Sequence, residues 1–193
     1  MLSSRERAQM SVEIKIAILI TAGAGLAFLT RRSLKGLHTH GLYRLIAWIA
    51  AIALILVNCE IWFVNPMAKH QVLSWVLLLL SVVTVIYGFF SLRKGRPGGA
   101  RGDLSLIGVE RTTELVEAGA YRYIRHPMYS SLLTGSLGVF LKDASWLGAI
   151  LTGIVILSTV LASKSEEREN LQYFGKAYRE YMERTRMFIP FLL

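Results

Sequence analysis

The stretch AYRYIRHPMYSSLL, residues 120–133, sets two guanidiniums, an imidazole and a proline directly against an apolar run. Proline lacks an N–H and is tolerated at the first helical position, so Pro127 predicts a helix start with His126 near its cap. The opening turn of such a helix leaves backbone N–H groups unpaired. With Arg125 and His126 beside them, these groups make a site for a carboxylate or another anion. About 40 residues later SEE, residues 165–167, brings the carboxylates Glu166 and Glu167 to the end of a second apolar run. That acidic pair could hold a cationic group, or could lie on a solvated helix face paired with Lys164 or Arg168. Tyr121, Tyr123 and Tyr129, with Arg122, equally fit a belt at headgroup depth.

The elements that must position these groups are membrane helices. The chain has 193 residues, 53% of them hydrophobic and only 18% charged, and its mean hydropathy is +0.45. A water-soluble domain of this size would carry more charge. The apolar residues fall in blocks at 16–30, 42–64, 72–92, 128–141 and 146–162, most of them near the ~20 residues that cross a ~30 Å hydrocarbon core. Five spans are therefore expected, and the fourth block is short enough to tilt or to cross incompletely. Only residues 142–145 separate the fourth block from the fifth, which predicts a helical hairpin. Its two outer ends, RHPMY and SEE, then return to one membrane face. The fold class expected is an all-α polytopic bundle of about five transmembrane helices, a single integral membrane domain over residues 1–193.

Charge sets the expected topology. The segments 31–44, 93–127 and 163 onward carry 4, 7 and 6 Lys and Arg residues, which is 17 of the 22 in the chain. The positive-inside rule puts that face in the cytoplasm and the N-terminus outside. The first block is read as a retained helix rather than a signal peptide, because its denser basic cluster follows the apolar run. The net charge of +9 reads as a basic surface facing anionic membrane lipids, and no nucleic acid partner is implied. The single cysteine, Cys59, excludes an intrachain disulfide and any Cys-rich metal site. The Gly-rich basic stretch RKGRPGGARGD, residues 93–103, reads as a loop without a phosphate-binding fingerprint, and no βαβ pattern occurs. After the fifth block, Leu171, Phe174, Tyr178 and Tyr181 recur at helical spacing and predict a C-terminal amphipathic helix interrupted at Gly175. Asn58 and Glu60, polar residues toward the outer end of the second block, are site candidates only until a partner is found.

At Arg125, His126, Pro127 and Tyr129, at Glu166 and Glu167, and at Phe174, Gly175, Tyr178, Tyr181, Arg184 and Pro190, the sequence resembles the isoprenylcysteine carboxyl methyltransferase family. It resembles equally the wider group of integral-membrane methyltransferases that includes phospholipid N-methyltransferases. The likeness covers residues 108–193 with a hydrophobic hairpin between its halves. The apolar blocks put three N-terminal spans in residues 1–92, and the resemblance implies that residues 93–193 form the methyltransferase core. It also implies S-adenosylmethionine bound at the cytosolic ends of the last two helices and a lipophilic acceptor arriving from the membrane. By the same resemblance Glu166 and Glu167 would hold the polar part of the cofactor. His126 and the 126–129 turn, with Pro127, Met128 and Tyr129, would contact its amino-acid portion. The stretch 115–121, with Leu115, Val116, Gly119 and Tyr121, would wall the adenosine, and Arg125 and Arg184 would face the acceptor. The methyl group already sits on a cationic sulfonium, so the chemistry asks for alignment and water exclusion and requires no metal.

The first half of the chain lacks the tryptophan-bearing motif that some family members carry and an evident prenyl tunnel. The acceptor therefore stays open between oxygen, nitrogen and sulfur nucleophiles on a prenyl or acyl lipid. A non-catalytic membrane scaffold or a lipid-binding subunit is the alternative reading.

Overall fold

The computed structural model describes residues 10–31, 40–94 and 115–192. The Gly-rich loop expected at 93–103 falls largely outside them, as do Arg32 and Lys35 of the basic cluster after the first block. Six α-helices are described: α1 (Val12–Thr30), α2 (His40–Asn58), α3 (Lys69–Lys94), α4 (Pro127–Phe140), α5 (Trp146–Phe174) and α6 (Lys176–Arg184), with a short 3-10 turn at Gly119–Arg122 before α4. No strand occurs among the described residues.

Four helices, α1, α2, α3 and α5, are long and apolar enough to cross a membrane. The fourth apolar block is not among them. Pro127 fixes the start of α4 and the helix ends at Phe140, giving 14 residues, or about 21 Å of helix. It makes the expected hairpin with α5, but it is a half-length helix inside the bundle. By contrast α5 runs twelve residues past the expected end at Ala162, and its 29 residues reach about 43 Å. Since a hydrocarbon core takes about 30 Å of helix, the polar turn holding Glu166 and Glu167 is a rigid extension of a spanning helix. Gly175, at φ 58° and ψ −122°, ends it. That backbone conformation suits glycine alone, so the expected single C-terminal helix is split into the end of α5 and a separate α6.

Small residues let the helices approach closely, as packing in lipid requires. On the α3–α4 contact, Ser74 Oγ donates to the Gly138 carbonyl at 2.6 Å and Ser81 Oγ to the Ser131 carbonyl at 2.7 Å. Gly88 leaves room for the Pro127 ring, 3.1 Å from where a Cβ would stand. The three contacts run in opposite senses along the two helices, so α3 and α4 are antiparallel, and the start of α4 lies beside the end of α3. Ala47, Ala50 and Ala51 of α2 form a core with Leu132 of α4 and Val155 of α5. Helix α1 buries no residue of its own. It is tied to the loop after α2 by Lys15 and Glu60, 2.7 Å apart, so Glu60 has its partner there. Asn58 likewise donates to the Leu54 carbonyl of its own helix.

The candidate methyl-donor cleft

The C-terminal segment organises the start of α4. Ile124 pairs with Arg186 as an isolated parallel bridge, with Arg125 N donating to the Arg186 carbonyl at 2.8 Å and His126 N to the Met187 carbonyl at 3.1 Å. Ser130 Oγ reaches the Phe188 carbonyl at 2.8 Å, and the Tyr181 hydroxyl donates to the Tyr121 carbonyl at 2.7 Å. The chain end is thereby laid along residues 121–130. A backbone that would otherwise be unpaired is satisfied.

At the centre Arg125, His126 and Glu167 meet, largely out of solvent. Arg125 Nε donates to Glu167 Oε1 at 2.6 Å, and His126 Nε2 lies 3.3 Å from the same oxygen. Arg125 Nη1 also donates to the carbonyls of Thr185 at 2.6 Å and Met182 at 3.2 Å. His126 caps α4 through its backbone, with no side-chain capping bond, because its imidazole turns to Glu167 instead. The anion brought to Arg125 and His126 is thus the protein's own carboxylate. A carboxylate this buried is held by two hydrogen-bonding partners, and losing either would strand the charge.

Beside the triad opens a cleft. Glu166, Asn170, Arg125 and His126 supply its polar lining; Leu92, Leu115, Val116, Met128 and Tyr129 line the apolar side. Phe174, Tyr178 and Tyr181 make an aromatic wall, with successive ring centroids 6.5 Å and 5.7 Å apart. Burial pushes both phenols of α6 well above their ordinary value, so they are neutral donors at physiological pH, and Tyr178 is hydrogen-bonded to Asn170.

With this geometry in place, the comparisons with known proteins assign the family. The model of the family described as phospholipid methyltransferase matches residues 70–179, more than half of the chain. The chain belongs to the phospholipid methyltransferase family. Protein-S-isoprenylcysteine O-methyltransferase B of Arabidopsis thaliana is 28% identical over 178 residues, covering 91% of this chain and 85% of that protein. No solved structure matches. The protein is accordingly an integral-membrane, S-adenosylmethionine-dependent methyltransferase.

The sequence-predicted residues separate into three groups around the cleft. Leu115, Val116, Tyr121, Arg125, His126, Met128, Tyr129 and Glu166 line it. Gly119, Pro127 and Glu167 stand behind the lining. Gly119 turns the chain at φ +63°, where a Cβ would collide with Ser91 Oγ, and that hydroxyl receives Ala120 N at 3.2 Å. Pro127 packs on Gly88. Arg184 is not among the lining residues: its Nη2 donates to both carboxylate oxygens of Glu117 at 3.0 and 3.1 Å, and it lines a separate pocket with Arg122, Tyr123 and Arg186. Sequence reasoning missed Asn170 and Leu92 as site residues. It read Phe174, Tyr178 and Tyr181 as a helix stripe rather than a cleft wall. Asn170 was readable as the i+4 neighbour of Glu166, had the fifth helix been extended far enough; Leu92 carries no signal beyond ending an apolar block.

Proposed function

We propose that this enzyme binds S-adenosylmethionine in the cleft between the start of α4, the end of α5 and α6, and methylates a lipophilic acceptor on the cytoplasmic face of the membrane. The observation that carries the reading is the cleft itself. One continuous surface joins an acidic and amide wall, Glu166 and Asn170, to an aromatic wall and to Arg125 and His126, all but Tyr181 inside the segment matched by the family.

These residues fit the cofactor's chemistry. Glu166 is a carboxylate for its cationic groups, the 126–129 turn with His126 stands by its amino-acid portion, and the neutral aromatic wall with Leu115 and Val116 takes a flat heterocycle. When bound, the cofactor supplies a methyl group on a cationic sulfur. The chain's own task is then to hold donor and nucleophile in line and to exclude water, which the apolar lining and the C-terminal segment do. Glu167 would act from behind, fixing Arg125 and His126. For Arg125 and Arg184 we propose the acceptor side, Arg125 from the lining and Arg184 from the rim by exchanging Glu117 for an acidic acceptor group.

The relative that spans nearly the whole chain is named for isoprenylcysteine O-methylation, which favours a prenylcysteine-like carboxylate. The family description favours a phospholipid amine. Labelled-methyl transfer by the full-length protein in bilayers, with a prenylcysteine analogue in one arm and phosphatidylethanolamine in the other, tests both. Label in the prenylcysteine methyl ester is the expected result. Label in neither lipid would reject the proposed acceptor class.

A further inference from the structure

Helix α2 lies outside the segment matched by the family model, yet it carries two basic residues into the bundle. His40 is fully buried and Arg44, one turn along, nearly so. His40 Nδ1 lies 3.0 Å from Glu169 Oε1. Ala47, Ala50 and Ala51 share a core cluster with Val155 farther along the same two helices, so α2 and α5 run antiparallel and Arg44 stands alongside residues 159–166. That seam is polar. His40 Nε2, Thr159 Oγ1 and Ser163 Oγ are buried with no hydrogen-bond partner among the described residues.

Such a seam is costly if its only task is to join two helices, since unsatisfied buried polar groups subtract from stability and apolar residues would pack as well. What distinguishes this seam is the turn of α5 that it holds. Residues 166–170 make one turn of helix and point three ways. Glu166 and Asn170 face the cleft, Glu167 faces Arg125 and His126, and Glu169 faces His40. These three directions fix the rotation of α5 about its axis where it leaves the membrane, and a rotation there would swing Glu166 and Asn170 off the cleft.

We propose that His40 is a positioning residue for the methyl-donor cleft, holding Glu169 so that Glu166 and Asn170 keep their place in the cofactor wall. The inference rests on reading the cleft as the S-adenosylmethionine site. In it α2, through His40, is a working part of the site although it touches neither donor nor acceptor.

The test uses full-length protein in nanodiscs, with labelled S-adenosylmethionine in equilibrium binding and the transfer rate at saturating donor. His40→Leu and Glu169→Ala should each weaken binding about tenfold, keep the saturated rate within about twofold, and be no worse when combined. His40→Gln, whose amide can still donate to Glu169, should recover part of the affinity. Lys142→Met removes a buried cation that donates to Gln71 at 3.0 Å and sits 3.5 Å from the Trp75 ring centroid, at the other end of the bundle. It should lower thermal stability and leave cofactor affinity unchanged. Wild-type affinity in His40→Leu and Glu169→Ala, or losses matching those of Lys142→Met, would overturn the inference. Wild-type protein without saturable binding would overturn the cofactor reading, and this inference with it.

Discussion

The two ends of the bundle bury the same kinds of group and put them to different uses. At one end Lys142 is enclosed by Trp75 and Gln71, and Gln71 Nε2 returns a hydrogen bond to the Lys142 carbonyl at 3.1 Å. The hairpin turn there is tight, with Ser145 Oγ accepting from Gly148 N to cap α5. At the other end His126 and Glu167 are buried and Arg125 largely so, but α5 continues beyond α4 and Gly175 turns the chain back as α6. A cleft remains between them. Buried charge alone therefore does not mark a site in this protein. The mark is buried charge beside a helix that outruns its neighbours.

The sharpest way to break this comparison is to remove the carboxylate on the cleft side. Glu167→Gln leaves Arg125 and His126 buried without their anion. It should cost about 3–5 kcal/mol of stability and weaken S-adenosylmethionine binding indirectly, because Arg125 and His126 lose the carboxylate that fixes them. Glu60→Gln, at a half-buried pair with Lys15, should cost about 1 kcal/mol or less and leave binding alone. Thermal melts and cofactor titration of the two variants check this. Equal effects would erase the distinction between the ends.

A smaller loss is expected at Gly119. Alanine there would have to adopt φ +63° and displace Ser91, a strain of about 1–3 kcal/mol. The strain falls on the wall that begins at Leu115, so cofactor titration should register it as a weaker Kd. An unchanged Kd would separate that wall from the site.

How much of this was readable in advance follows the same division. The hairpin, the return of Arg125 and His126 to Glu166 and Glu167, and the break at Gly175 follow from apolar run lengths, a proline and a glycine, which act locally. The reach of α5 did not, because residues 163–174 are polar and a hydropathy reading stops at Ala162, although helix continues wherever tertiary packing supports it. Nor was it readable that Glu167 would occupy the cationic pocket itself. Spacing on one helix cannot tell which of two adjacent carboxylates turns inward until its neighbours are placed. The His40–Glu169 contact, 129 residues apart in sequence, left no local signal at all.

Next in size is the rim. Arg184→Ala should lower turnover at saturating donor with little change in cofactor affinity, because the contact proposed for it is made to the acceptor. Lysine should restore only part of the rate, since a point charge cannot reproduce the planar fork, and Arg186→Ala is the control. Steady-state kinetics in which Arg184→Lys is fully active and both alanine variants lose equally would reduce Arg184 to a surface anchor.

The mildest effect is on pH. Burial holds the Tyr178 and Tyr181 phenols above their ordinary value of about 10. The folded protein keeps these protons while the unfolded chain releases them, so their contribution is present in full below pH 10 and is lost as pH rises above it. Denaturant melts across that range should show the loss, and Tyr178→Phe with Tyr181→Phe should flatten it. An unchanged slope would place both phenols in contact with solvent.

Photo-crosslinking of labelled S-adenosylmethionine to the protein in nanodiscs, with adducts mapped by peptide mass, measures directly where the cofactor binds. The adducts should fall within residues 115–129 and 166–181 and disappear with excess unlabelled cofactor. Saturable labelling confined to the opposite end, at residues 59–71 or 141–146, would contradict the proposed site.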